Sequence, residues 1–404
     1  MSDLPAGSRP EAAGGAGRLE LAPGEGRAIA SLALIYGVRM LGLFVMLPVL
    51  MLYGRGLPGG TASLAGLAVG LYGLTQACLQ IPFGIASDRF GRRPVIAVGL
   101  LLFAAGSLLG TAATTIWGVI GARIVQGSGA VSGPVTALLA DLTRPSIRTR
   151  AMALIGISIG GAFVLSLVGA PLLAGAIGVP GSFAVTAGLA LLSLVLLYAV
   201  VPLPPPVTRT PLSLRSLTPA FRADLFPHYA GIFVLNAVLS ATFVGAPYAL
   251  HDRLGIAVTE HWRTYLGVFL ASVPLTVPLI LLTEKAARPD RILRAGVGLL
   301  ALSLGACSLV VGSYWLLWAA LAAFFTAFNY LEARLPARLS QAAPAQVRGA
   351  AMSVFATAQF LGSFAGFAAG GPLSASRWGL PGVFAVAAAV ALLWLLGSGT
   401  TTRN

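Results

Sequence analysis

Charge is scarce in this sequence. Asp, Glu, Lys and Arg together make up 9% of its 404 residues, against 57% apolar, whereas a soluble domain carries about 25% charged residues. Such a chain cannot solvate a surface, so lipid is its expected solvent; its mean hydropathy is +0.88. Cysteine is nearly absent. Cys78 and Cys307 both fall inside apolar runs and form no motif, which removes redox and zinc chemistry. The three histidines, His228, His251 and His261, lie near the ends of apolar runs, and no nucleophile or metal constellation surrounds them. An enzyme is therefore not expected, nor a metal, nor any cofactor. No Walker sequence is present, so ATP does not drive the protein directly. Gly127-Ser-Gly129-Ala-Val-Ser-Gly133 has the wrong glycine spacing for a dinucleotide loop and sits within an apolar run. Lysine occurs once, at Lys285, yet the net charge is +14. The arginines stand in small groups between apolar runs rather than on one polar domain, which argues against a nucleic-acid partner.

Long apolar runs are what the sequence does have. Stretches of spanning length, about 20 residues each, cover roughly 28–53, 62–83, 94–113, 115–139, 150–173 and 183–201, then 228–250, 263–283, 292–312, 315–337, 349–371 and 381–398. Twelve spans in two groups of six predict an all-α membrane protein. Residues 1–27 lack the basic start, apolar core and cleavage site of a signal peptide, and read as a disordered cytosolic tail. The expected organisation continues with a first six-helix bundle at 28–201, a proline-rich cytosolic linker at 202–227, a second bundle at 228–398 and a short tail at 399–404.

The basic residues test that count. With the N-terminus inside, cytosolic segments hold Arg89, Arg92 and Arg93, then Arg144, Arg148 and Arg150, then Arg209, Arg215 and Arg222. In the second half they hold Lys285, Arg288, Arg291 and Arg294, then Arg334, Arg338 and Arg348. The opposite side holds only Arg55, Arg253, Arg263 and Arg377. This is the positive-inside bias, and it predicts both termini in the cytosol. The halves also repeat. Gly178-Val-Pro-Gly-Ser-Phe-Ala-Val returns as Gly379-Leu-Pro-Gly-Val-Phe-Ala-Val, and Arg150-Ala-Met152 as Ala350-Ala-Met352, at a shared offset of about 200 positions. A duplicated 6+6 arrangement with pseudo-two-fold symmetry follows. Small residues at four-residue spacing (Gly66 and Gly70, Gly106 and Gly110, Gly156 and Gly160, then Gly362, Gly366 and Gly370) predict close helix contacts, static or sliding.

One charged turn stands out, Gly84-Ile-Ala-Ser-Asp88-Arg89-Phe-Gly91-Arg92-Arg93. It resembles motif A of the major facilitator superfamily through Gly84, Asp88, Arg89, Gly91, Arg92 and Arg93. Arg123-Ile-Val-Gln126-Gly127-Ser-Gly129 resembles motif B, and Leu47-Pro48-Val49-Leu50 resembles the first-helix stretch of the drug-efflux branch. Within that branch the text is similar to YajR-like proton-driven transporters, in stretches such as Arg39-Met-Leu-Gly42, Gly73-Leu-Thr-Gln76, Phe328-Asn329 with Glu332, and Gln359-Phe-Leu-Gly362. Those transporters often carry a C-terminal soluble domain, and this sequence ends at Asn404, so the expected form lacks it. The fifth-helix antiporter motif, which should end Gly-Pro, reads Gly169-Ala170-Pro171 here.

The resemblance implies roles for particular residues. Asp88 would cap the eleventh helix near Gly349 when the carrier faces outward, and Arg92 would pair with Asp141. Gly84, Asp88, Arg89, Gly91, Arg92, Arg93, Asp141 and Gly349 form the expected gating network. Arg39 and Arg123 lie within spans, where an arginine costs at least ~2.5–3.5 kcal/mol and must face protein or a wet cavity. Glu332 is the one acidic residue well inside a span. It reads either as a proton carrier or cargo counter-ion, or as a structural partner of Arg334, Arg338 or an arginine on a facing helix. Arg39, Arg123 and Glu332 are thus the candidate proton-coupling or cavity charges. Tyr72, Gln76, Gln126, Asn236, Asn329 and Gln359 are the candidate cavity lining, each equally able to bond between helices.

The expected function is secondary transport by alternating access: a proton-coupled antiporter that exports lipophilic or amphipathic small molecules, driven by the proton gradient. Two alternatives stand beside it. One is a symporter or uniporter importing a sugar, nucleoside or metabolite; the other is a non-transporting membrane sensor of the same fold. The expected setting is a monomer in the bacterial inner membrane, with lipid, protons and a small-molecule substrate as partners.

Overall fold

The computed structural model describes residues 24–203, 214–344 and 347–397, and the regular structure there is helical throughout. Residues 1–23 of the expected first tail, 204–213 of the linker and the whole of the last tail lie outside the described residues. The first crossing is α1 (Glu25–Phe44) followed by α2 (Leu47–Gly56). They part at Phe44 because Pro48, four residues on, has no N–H and its ring crowds the Phe44 carbonyl. Helix α1 takes in residues 25–27, the last three of the expected tail. Glu25 sits in its first turn and is held by Arg144, whose Nη2 lies 3.0 Å from Oε2. A carboxylate there also suits the positive end of the helix dipole.

α3 (Ala62–Phe90) and α4 (Arg92–Ala112) follow. The charged turn is tighter than its ten residues suggest. Asp88 and Arg89 remain helical, and Gly91 alone reverses the chain, at φ 94°, a conformation that favours glycine. The fourth crossing is broken into α5 (Ile116–Gly127) and α6 (Ser132–Asp141). Around that break, a Cβ on Gly127 would meet the Tyr72 backbone and one on Gly129 the Gly99 carbonyl. The fifth and sixth crossings run as α7 (Pro145–Ala199), 55 residues long. At 1.5 Å per residue this is more than twice what one crossing of a bilayer needs. Gly178, at φ 73°, folds it back on itself, and its repeat Gly379 opens the last helix at φ 54°. The repeated text therefore builds the same corner twice.

The second half comprises α8 (Phe226–Tyr248), α9 (His261–Lys285), α10 (Pro289–Val310), α11 (Tyr314–Ala342), α12 (Arg348–Ala375) and α13 (Gly379–Gly397). Among the described residues, ten helical runs are long and apolar enough to cross a membrane. One of them crosses twice and the broken α5–α6 pair adds another, so the count is twelve. Helices α1–α7 pack chiefly on one another, as do α8–α13, and α12 bridges the halves by lying against both α8 and α3.

Small residues set those two contacts. On the α8 side, a Cβ at Gly362 would strike the Phe233 carbonyl, and one at Gly366 the Ala237 carbonyl. On the α3 side, a Cβ at Gly66 would lie 2.5 Å from the Phe367 carbonyl, and one at Gly371 2.6 Å from that of Ala62. Gly156 and Gly160 share the spacing but approach nothing within 4 Å. For that pair the expected close contact does not form, since spacing fixes a helix face and not what faces it.

The halves also carry matching ion pairs of opposite polarity. Arg92, opening α4, pairs with Asp141 at the end of α6 (3.3 Å). Asp290, at the start of α10, pairs with Arg338 near the end of α11 (2.5 Å). The offsets, 92 to 290 and 141 to 338, are 198 and 197 positions, close to that of the sequence repeat.

Candidate functional site

Between the halves lies a cavity of about 780 Å³ at the end bearing the charged turn. Gly84, Ser87 and Arg92 line it from the first half, and Pro336, Gly349 and Ser353 from the second. Gly84 and Gly349 have nothing within 4 Å of their Cβ positions. So α3 and α12 touch closely from Gly66 to Gly73 and splay apart toward this end. The repeated methionines Met152 and Met352 stand on its wall. The cavity continues into a chamber of about 250 Å³, sharing Tyr36, Gln80, Ser132, Glu332 and Gln359 with it.

The opposite end is shut. Two rings from each half, Phe44 and Phe163 against Phe243 and Phe325, meet at centroid distances of 5.2–6.4 Å. Phe44 and Phe243 form part of the chamber wall. Beyond them the Tyr248 hydroxyl donates to the Met51 carbonyl at 3.0 Å. Arg55 grips Asp252 through both guanidinium nitrogens, at 2.5 and 2.8 Å, and lies 4.4 Å over the Tyr248 ring. Because that ion pair is about one-third exposed, it contributes only ~1 kcal/mol. Asp252→Asn is therefore expected to raise the open fraction of this end about fivefold rather than spring it. Labelling of a cysteine placed at Met51 reads that fraction, and an unchanged labelling rate would remove the pair from closure.

The expected gating residues are partly brought together. Arg92 bonds Asp88 (2.5 Å) and Asp141, with side-chain exposures of 11% and 5% for Arg92 and Asp88. Its Nη1 also donates to Ser87 Oγ at 2.6 Å, a member that the sequence did not single out. Arg93 donates to the Leu197 and Tyr198 carbonyls at the end of α7 (2.7 and 3.2 Å), where a cation suits the negative helix terminus. Arg89 lies 5.4 Å from the centre of the exposed Phe90 ring, apart from the Arg92 cluster. Gly349 stands on the far side of the open cavity from Gly84.

Both intramembrane arginines are buried in the first half. Arg39 donates from Nη2 to Tyr72 Oη (3.1 Å), Gln76 Oε1 (2.7 Å) and the Gly129 carbonyl (2.9 Å) freed by the helix break. Arg123 donates to Gln126 Oε1 (2.5 Å) and lies 4.5 Å over the Tyr72 ring. Gln126 in turn donates to Ser107 Oγ at 2.8 Å. Arg123 reaches the chamber wall, while Arg39 is held behind it. Of the expected lining, Tyr72, Asn236 and Gln359 line the chamber. Gln76 and Gln126 are instead committed to the arginines, and Asn329 donates to Ser272 Oγ on α9 at 3.3 Å. Tyr36, Gln80 and Ser132 line the chamber although the sequence reading passed over them; for Tyr36 and Gln80 the signal was polarity on the helix stripes of Arg39 and Gln76, and Ser132, at the start of α6, carried no such signal.

Glu332 completes the chamber from α11. Gln359 donates to its Oε1 at 2.8 Å, and its Oε2 has no hydrogen-bond partner among the described residues. The described residues offer it no ion pair; Arg338 is bound to Asp290, and Arg334 lines a different basin. A carboxyl with one open oxygen, facing a wall that also carries Arg123, can bind a proton or a cationic group.

The chain was compared with known proteins. Residues 29–366 match the Major Facilitator Superfamily. The chain is 39% identical to the inner membrane transport protein YajR of Escherichia coli K12, over 94% of this chain and 84% of that protein. It is 28% identical to the multidrug resistance protein MdtH of Photorhabdus laumondii, over 82% and 83% of the two chains. Among solved structures, a bacterial homologue of the human lysosomal transporter Spinster superimposes with a TM-score of 0.73 at 15% identity, covering 95% of this chain and 98% of that one. A D-xylose–proton symporter gives 0.69 at 18%, covering 93% and 96%. These two likenesses speak to the fold, and the family match to the lineage. Two helical halves around a cavity closed at one end are how such chains move solutes, and this one belongs to the Major Facilitator Superfamily as a multi-pass inner-membrane transporter.

Proposed function

We propose that this transporter is a proton-coupled antiporter that exports small lipophilic or amphipathic compounds. The observation that carries the reading is Glu332, whose open carboxylate oxygen stands in a chamber walled otherwise by groups such as Met40, Leu43, Phe44, Phe243 and Phe360. An apolar wall takes up an apolar cargo, and one carboxylate cannot hold a proton and a cationic cargo at once. Competition for that site couples the two flows. The similarity to multidrug resistance proteins named MdtH supports the substrate class.

The arginine bias favours a cytosolic charged-turn end; with that orientation, a cavity open there takes up cargo from inside. In the opposite state the splayed ends of α3 and α12 close, and Asp88 approaches the start of α12 near Gly349. A carboxylate at a helix N-terminus gains about 0.3–2 kcal/mol. The ligand-dependent bias between the two states is all that alternating access requires.

The test is flux in proteoliposomes loaded with a lipophilic cationic dye. A proton gradient should drive dye movement, and adding dye should move protons the opposite way. Dye flux indifferent to collapse of the gradient would refute coupling, and co-directional protons would make the protein a symporter.

A further inference from the structure

We infer that the second half holds a binding site for a phosphate-type anion, separate from the transport path. The site is a basin of about 400 Å³ at the charged-turn end, between the ends of α8, α9, α10 and α11. Its polar lining is His228, Thr283, Asp290, Arg334, Arg338 and Gln341, none of which lines the cavity between the halves. A volume of that size falls within the range of small-ligand sites.

Arg334 is the pointer. It lies on α11, eight residues before the helix ends at Ala342, or about two turns. The residue is half-buried, and a guanidinium nitrogen taken out of water needs a counter-charge or a carbonyl to accept from it. Among the described residues it has neither, and its Nε is buried without a hydrogen-bond partner. His228 Nδ1 on the rim is likewise buried and unpartnered. The basin's one carboxylate, Asp290, is already held by Arg338 at 2.5 Å. α8 and α10 both begin here without a side-chain cap, so their positive ends add to the field.

The sum is one spare cation, a second arginine within reach and two helix starts around one basin. That chemistry recognises anionic oxygens in a planar, two-point fashion, which guanidinium does best with phosphate. The phosphate can come from an anionic lipid headgroup, since basic pockets between helices at the cytosolic side accept such groups, or from a soluble phosphate compound.

Thermal unfolding of the full-length protein, stripped of lipid in neutral detergent, distinguishes the two. Phosphatidylglycerol micelles, phosphatidylcholine micelles and inorganic phosphate are added separately at matched ionic strength. At a hundredfold excess over Kd the expected rise in Tm is about 3–5 °C. A rise with phosphatidylglycerol alone assigns a headgroup, and with inorganic phosphate alone a soluble ligand; a rise with both assigns the shared oxygens. In every case Arg334→Gln should remove most of the shift and Arg291→Gln, on the exposed face of α10, should keep it. If Arg334→Gln does not fold, Gln341→Trp fills the basin from an exposed position and should have the same effect. The proposal is overturned if neither anion stabilises the wild type, if the basin variants keep the full shift, or if Arg291→Gln loses it equally.

Discussion

Replacing Glu332 by glutamine is expected to abolish gradient-driven transport, by at least tenfold, without lowering the amount of folded protein in the membrane. The amide matches the carboxylate in size, and Gln359 retains an oxygen to donate to. What disappears is the one carboxylate among the described residues lining the chamber, the group able to exchange a proton for a cationic cargo. Facilitated, gradient-independent dye exchange should survive, because the two-state movement does not need the charge. That split, accumulation lost and exchange retained, would not arise from misfolding. Near-normal accumulation by the variant would remove Glu332 from coupling and leave Arg123 as the charge to examine.

Gly366→Leu is expected to prevent folding. Its first side-chain carbon would already strike the Ala237 carbonyl and lie 2.8 Å from Ser240 Cβ. Both obstacles belong to α8, so relief requires moving a whole helix rather than a flexible side chain. Overpacking of a well-fitted contact costs about 1–3 kcal/mol, and more when backbone must shift. Here α8 and α12 would have to part along their backbones, a cost above that range and large against a total stability of about 5–15 kcal/mol. Gly160→Leu is the matched control, since nothing lies within 4 Å of it, and its effect should stay within about 0.5 kcal/mol. Comparable losses of monodisperse protein for the two variants would mean that α8 and α12 are not locked by their backbones.

The contrast between those glycines marks the limit of what the sequence discloses. Spacing placed Gly156 and Gly160 on one face as surely as Gly362 and Gly366, yet only the latter face meets a helix. The twelve crossings were legible because hydrocarbon thickness imposes their length and arginine alternation checks their number. The corner at Gly178 was legible because it is written again at Gly379. The break after Gly127 was not: small apolar residues read as a continuous span, and only packing against α3 and α4 makes them yield. Arg39 is explained by that break, as its guanidinium takes the carbonyl that the missing helical turn releases. Likewise Gln76 and Gln80 stand one helical turn apart on α3 and are both polar. One serves the buried arginine and the other lines the chamber, a difference set by their neighbours on other helices. The fate of Arg334 was illegible for the same reason; it was a candidate partner for Glu332 two residues away, but a helix turns successive side chains through about 100° and sends them to different cavities.

The opposed polarity of the pairs Arg92–Asp141 and Asp290–Arg338 bears on how the chain assembles. Two halves that descend from one repeat offer one another's docking places. Helix α4 could seat where α10 belongs, since both are apolar hairpin partners of similar length. Were that to happen, Arg92 would face Arg338 and Asp290 would face Asp141. Like charges brought together there cost about 1 kcal/mol where the groups are a third to a half exposed, as at Asp290 and Arg338, and more at the better-shielded Arg92 and Asp141. A repeat that had kept its polarity would carry no such penalty. The inversion therefore labels each half as itself, so that a nascent chain with twelve similar helices rejects the exchange that its own ancestry makes easiest.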